Sequence, residues 1–312
     1  MKKSDLRRKF FERGAIALKN ISAIDQECYC CPICSNLYLP EALDVDLLTL
    51  EHAPSQKVGG KPLALTCKKC NSVAGYSVDF AVFQRQKLID FTDAVMGQKR
   101  NFKGRANFLI GGETLNINFE KEEGTPSIKP VRKINDPKKL KAYEDYMNYL
   151  HNAGKWDGMT FTITPTAKYH VKYSKIGDLK TAFIICFAFF GYRFALNERL
   201  SAVREQIMNY KKDIIDYYWL PSNPKITQRN FICLTEKPVT ALAVRLDHSI
   251  VVLPWIEGPE NLYKYLESNY GSPKRFNIQG RCYNWPGTLE MRLDFASAYN
   301  KRLQPIAEKS GS

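Results

Sequence analysis

The chain has no apolar run long enough to cross a bilayer, no low-complexity tract and no internal repeat, and it is short of acidic residues. The most apolar stretch, TAFIICFAFFGYRFA, is shorter than the roughly 20 residues a spanning helix needs. Lys180 stands just before it and Arg193 near its end, which is the pattern of a buried core helix. The amino end, MKKSDLRRKFFERGAIALKN, is basic but lacks the unbroken apolar core of a secretory signal, so a cytoplasmic protein without a membrane partner is expected. Acidic residues number 32 against 46 lysines and arginines, a formal charge of 46 − 32 = +14. A polyanionic partner is therefore expected, nucleic acid first. At 312 residues and 44% hydrophobic, the chain has apolar surface for one large domain or two ordinary ones, and disorder is not the default. Nine cysteines, an odd number and without an export signal, argue against a disulfide framework and for reduced thiols or bound metal.

Three textures divide the chain: a basic lead over 1–27, a cysteine-rich module over 28–95, and a remainder over 96–312 with ordinary apolar patterning. Two alternating runs around Gly111 and Gly112 predict a β-hairpin. The Lys- and Pro-rich stretch EKEEGTPSIKPVRKINDPKK reads as a mobile connection, and PKKLKAYEDYMNYLHN after it has helical spacing. MTFTITPTAKYHVKYS returns to alternation. The segment from Asp178 to Tyr210 then predicts a buried helix followed by an amphipathic one. NFICLTE, TALAVRL, SIVVLPWI and RFNIQGRCYNW read as strands, with a helix in PENLYKYLESNY. The fold class expected is α+β, a small N-terminal metal-pinned module joined to a larger mixed domain that serves substrate selection, assembly or regulation.

The sharpest chemical signal is Cys31-Pro-Ile-Cys34 with Cys67-Lys-Lys-Cys70. Two turns with cysteines three apart can each present two thiolates to one tetrahedral ion, and thiolates in two separated knuckles suit structural zinc. Cys28 blurs the register, since Cys28 and Cys31 are also three apart and Cys30 lies between them; the turn CPIC favours Cys31 and Cys34.

Between the knuckles stand LTLEH, a Gly-Gly turn and a second strand, more than a structural loop requires. The motifs CPIC, LTLEH, KVGGK, LTCKKCN and AGYSVD, in this order, resemble an HNH endonuclease of the ββα-metal fold, in the subgroup whose finger is pinned by four cysteines. The resemblance covers about residues 31–79. It implies that His52 is the general base, a role its titration range near neutrality suits. It further implies that Glu51, where the family often has aspartate, and Asn71, directly after the last zinc cysteine, hold one magnesium or manganese ion through oxygen. Zinc would fix the turn that carries Asn71, and main chain near Leu63 to Thr66 would orient the histidine.

Lys57, Lys61, Lys68, Lys69 and Arg85 surround the motif and are the candidate phosphate contacts. Aromatics in YNW and YYW are candidates for base stacking or for core. His151, His170 and His248 lack catalytic company and read as structural or surface residues. The function expected is hydrolysis of phosphodiester bonds, most naturally in DNA. By analogy of layout this would serve phage defence or restriction, with a homodimer or a regulatory partner protein. The rival readings are a non-catalytic zinc finger that binds nucleic acid and an RNA-directed nuclease of the same fold.

Overall fold

A computed structural model describes residues 2–110, 112–155, 161–222, 230–270 and 279–296, excepting the side chains of residues 73 and 74. The chain divides into two compact units, Met1–Val82 with Val171–Ser312, and Phe83–His170. The texture boundaries at 27/28 and 95/96 lie inside these units, because the first unit is assembled from both ends of the chain around a shared core.

The basic lead is helical. In α1 (Lys3–Ile21), Phe10, Phe11, Gly14, Ala15, Ala17 and Leu18 are buried on one face, at spacings of one, three and four residues. Two short strands, β1 (Tyr29–Cys30) and β2 (Leu37–Tyr38), pair around the first cysteine turn. An antiparallel hairpin follows, β3 (Leu48–Ala53) and β4 (Lys61–Cys67), and runs directly into α2 (Lys68–Ala74). The ββα order expected of the front module is thus present. A π-helical turn, Gly75–Asp79, leads to α3 (Phe80–Val95).

The second unit is a four-stranded antiparallel sheet of β5 (Phe102–Ile110), β6 (Glu113–Glu122), β7 (Thr125–Pro130) and β8 (Thr162–Pro165), in the order β7-β6-β5-β8. Alternation buries Ala106, Phe108 and Ile110 of β5 with Leu115, Ile117 and Phe119 of β6 in one apolar cluster. The expected hairpin is β5–β6; Gly111 of its turn lies outside the described residues. The stretch read as a mobile connection is instead sheet over its first half and becomes helical at its end. Glu123 and Gly124 turn at positive φ, and β7 then pairs along β6, with Ile128 on the apolar cluster. In α4 (Pro137–Asn152), Asp136 caps the first turn by accepting from the Lys138 amide, and Pro137 stands at its start.

Alternation in MTFTITPTAKYHVKYS yields only β8, its first residues 159 and 160 lying outside the description, and from Val171 the chain is already helical. α5 (Val171–Phe190) is buried almost continuously from Ser174 onward and is apolar nearly all round, as a helix inside a core must be. α6 (Tyr192–Ala195) and α7 (Ser201–Met208) follow. A short strand not expected from the sequence, β9 (Trp219–Pro221), precedes the expected β10 (Phe231–Lys237), β11 (Ala241–Arg245) and β12 (Ser249–Pro254). After α8 (Leu262–Tyr270) comes β13 (Gln279–Asn284); residues 275–278 of that expected strand lie outside the description. These five strands form one sheet in the order β13-β10-β11-β12-β9. α5 contacts both the β3–β4 hairpin and the late sheet. Toward the sheet, Asp178 accepts from Trp219 Nε1 at 2.7 Å and Ser249 Oγ at 2.8 Å. Among the described residues no helix is long and apolar enough to cross a membrane.

α5 stops at Gly191, which adopts φ +97°, and a Cβ there would overlap the Asp294 carboxylate that accepts from the Tyr192 and Arg193 amides. Gly191→Ala is therefore expected to destabilise the protein by roughly 3 kcal/mol, combining left-handed strain with loss of that contact. The shift in urea midpoint measures it.

Candidate metal centre and active site

The Sγ atoms of Cys31, Cys34, Cys67 and Cys70 lie within 4.8 Å of one another, and among the described residues this is the one group of three or more metal-ligating side chains. β1–β2 present the first pair, and the end of β4 with the start of α2 presents the second. The Cys34 and Cys67 sulfurs are 3.7 Å apart. A regular tetrahedron with Zn–S bonds of about 2.3 Å has edges of about 3.8 Å, so the donor set fits zinc in size as well as softness. Backbone amides already point at the sulfurs: Cys67 N–H donates to Cys31 Sγ and Cys70 N–H to Cys67 Sγ, both at 3.4 Å. The second bond is also the N-cap of α2. Hydrogen bonding from Cys31 brings the Cys34 thiol down to about 7 and the Cys67 thiol much further, while Cys31 is pushed up by its sulfur partners. A bound dication would relieve this sharing of protons by taking all four as thiolates. Cys28 and Cys30 are buried outside the cluster, and burial raises both thiols, Cys30 to about 12. The register ambiguity is resolved in favour of the CPIC turn.

Asn71 is tied to the strand that carries His52. Asn71 Nδ2 donates to Thr49 Oγ1 at 2.8 Å and to the Leu50 carbonyl at 3.3 Å. The β3–β4 register slips between Glu51 and His52, leaving Leu63 as an extra residue on β4. Such bulges re-aim side chains and recur beside active sites. His52 is half-buried. Burial, then the Lys3 charge, lowers its pKa; the Leu50 carbonyl opposes this and the Lys180 charge adds to it, so the imidazole is neutral at neutral pH.

Glu51 is placed differently from its neighbour. It is 2% exposed, Thr66 Oγ1 donates to its Oε2 at 2.9 Å, and Lys180 Nζ lies 2.8 Å from its Oε1. The same ammonium is 2.8 Å from Asp79 Oδ2. Burial raises the Glu51 pKa against the pull of Lys180, with Asp79 adding to the rise. Burial also opposes the Lys180 charge, yet the two carboxylates outweigh it and raise that pKa. Both Glu51 oxygens are thus committed, and as placed they do not fit a magnesium or manganese ion shared with Asn71. Asn71 keeps its amide oxygen without a partner among the described residues.

Sequence reasoning missed Lys180 and Asp79 as members of this cluster. Asp79 ends the AGYSVD motif, and Lys180 read as the flank of the apolar run. The available signal was a lysine in register with an all-round apolar helix, where a charge persists only if paired.

Lys57, Lys61, Lys68 and Lys69 are exposed, the first two around the hairpin turn and the others opening α2. Arg85 is half-buried and belongs to the other unit. Trp219 of YYW is tied to Asp178, a core role. Trp285 of YNW lines a cleft of about 470 Å³ with Pro54, Lys61 and Asn230, beside the hairpin turn. His151, His170 and His248 are exposed. No protein-family model, characterised protein or solved structure matches the chain significantly.

Proposed function

We propose that the chain is an HNH-type endonuclease that hydrolyses phosphodiester bonds, with DNA as substrate. The observation that carries this reading is the bond from Asn71 to the Leu50 carbonyl, two residues before His52, at a bulged strand end beside the cysteine cluster. In this reading the neutral His52 imidazole takes the proton of the attacking water. Asn71, projecting from the turn that zinc would hold, fixes the strand end from which His52 acts. Lys57, Lys61, Lys68 and Lys69 supply charge for the phosphates flanking the scissile bond. A divalent ion, magnesium or manganese, would neutralise charge on the phosphate and the leaving oxygen. Of the two residues the resemblance assigns to that ion, only Asn71 has an oxygen left to offer.

That last observation favours a second reading: a zinc-pinned module that binds nucleic acid without cutting it. Incubating zinc-loaded protein with plasmid, single-stranded DNA and RNA, each with magnesium, manganese or EDTA, separates the two. Nicked plasmid supports the nuclease, and cleavage confined to RNA supports an RNA-directed enzyme of the same fold. Binding without product supports the second reading. In either case affinity is expected to fall steeply with salt, by about tenfold or more between 50 and 200 mM, because each neutralised phosphate releases counterions. A flat salt response in a filter-binding titration would count against nucleic acid as the partner.

A further inference from the structure

We propose that the Lys180 ammonium, fixed between Glu51 and Asp79, takes the place of a divalent cation beside Glu51 and positions the strand end that carries His52. The inference rests on the reading of residues 31–79 as an HNH-like centre, since only that reading calls for a cation there. Three observations carry it. The ammonium touches both carboxylates at 2.8 Å, and the Lys180 and Glu51 side chains are 3% and 2% exposed. The remaining Glu51 oxygen accepts from Thr66, which is directly opposite Thr49 in the hairpin, so each oxygen of this buried carboxylate already meets a protein donor. Lys180 comes from the middle of α5, whose surroundings bury it on every side, so it cannot swing out as a surface lysine would.

The charges close on themselves. One ammonium against two carboxylates leaves a single negative charge, partly relieved by solvent at Asp79, whose side chain is 17% exposed. A dication entering beside Glu51 would have to displace the ammonium or stand against it in a medium that screens like charges poorly. The ammonium also spans three elements, α5, β3 and the turn Gly75–Asp79, and therefore locks the hairpin to the core at the residue before His52.

The test uses full-length, zinc-loaded protein, with manganese uptake followed by electron paramagnetic resonance and stability by thermal unfolding. Wild type and Glu51→Gln are expected to bind manganese equally, while the variant unfolds several degrees lower. Lys180→Ala leaves two facing carboxylates with room between them. Its midpoint is expected to fall by on the order of 10 °C, and millimolar manganese should restore at least half of that. The restoration should vanish in the double variant Glu51→Gln, Lys180→Ala, which a lysine serving packing alone would not produce. If Lys180→Ala does not fold, the uncharged triple variant Glu51→Gln, Asp79→Asn, Lys180→Met is expected to fold and to ignore manganese. A wild-type protein whose manganese affinity drops tenfold or more in Glu51→Gln, at unchanged zinc content, overturns the proposal. So does a Lys180→Ala protein that keeps its midpoint. Neither result depends on cleavage: an inactive protein can confirm the ammonium, and an active one can refute it.

Discussion

Replacing Cys31 and Cys67 together by serine is expected to remove the zinc and to unfold the front of the first unit. Wild type should carry about one zinc per chain; the double variant should carry none. The expectation rests on where the four sulfurs sit rather than on their number. Cys31 accepts from the Cys67 amide, and Cys67 is a candidate ligand that also caps α2, so the substitution removes the metal and two N–H···S bonds, one of them the helix cap. Structural zinc contributes about 10–16 kcal/mol to small metal-dependent folds. Here α1 and α5 also pack on the hairpin, so part of the structure should persist. The expected outcome is a loss of more than about 5 kcal/mol, seen as a first transition well below that of the wild type, with zinc measured on the same samples. Substituting Cys28 or Cys30 should leave zinc content unchanged. Retention of zinc by the double variant would refute the four-sulfur assignment.

His52→Ala is expected to reduce plasmid nicking by about 100- to 10,000-fold, the usual contribution of a positioned general base. Zinc content, unfolding temperature and DNA affinity should be nearly unchanged, because the ring is half-buried, lies outside the cluster and is distinct from the exposed lysines proposed to meet phosphate. Asn71→Ala is expected to lower activity as well, but through loss of its bonds to Thr49 and Leu50, and therefore with a measurable loss of stability. The sign of the His52 shift adds a constraint. Its pKa is lowered by burial and by the Lys3 charge, so the base form should survive to lower pH than for a free histidine. The acidic limb of the rate profile should accordingly lie below about 6.5. Activity that survives His52→Ala would move the binding module into first place.

Much of the architecture is legible in the sequence. The four late strands, the hairpin at Gly111–Gly112, the helix after Asp136 and the cysteine register all rest on local signals: alternation, turn residues, helical periodicity, a spacing of three. Where local signals were wrong, a partner distant in sequence was the cause. Residues 125–130 looked like linker because Pro and Lys are poor strand formers, but β6 offers a paired edge and the apolar cluster takes Ile128. Residues 171–174 continued an alternating pattern, yet they form the first turn of a helix whose remaining length is buried.

The candidate site divides along the same line. The sequence alone determined which residue types are present: four cysteines in two knuckles, a histidine after an acid, an asparagine after the last cysteine. Those are properties of spacing along the chain. Only the tertiary structure decided what Glu51 does, because its partners Thr66, Asp79 and Lys180 lie 15, 28 and 129 positions away and meet it through the hairpin and a core helix. A carboxylate that could ligate a cation in water is, once buried, bound to whatever positive charge the fold brings to it, and here that charge is an ammonium.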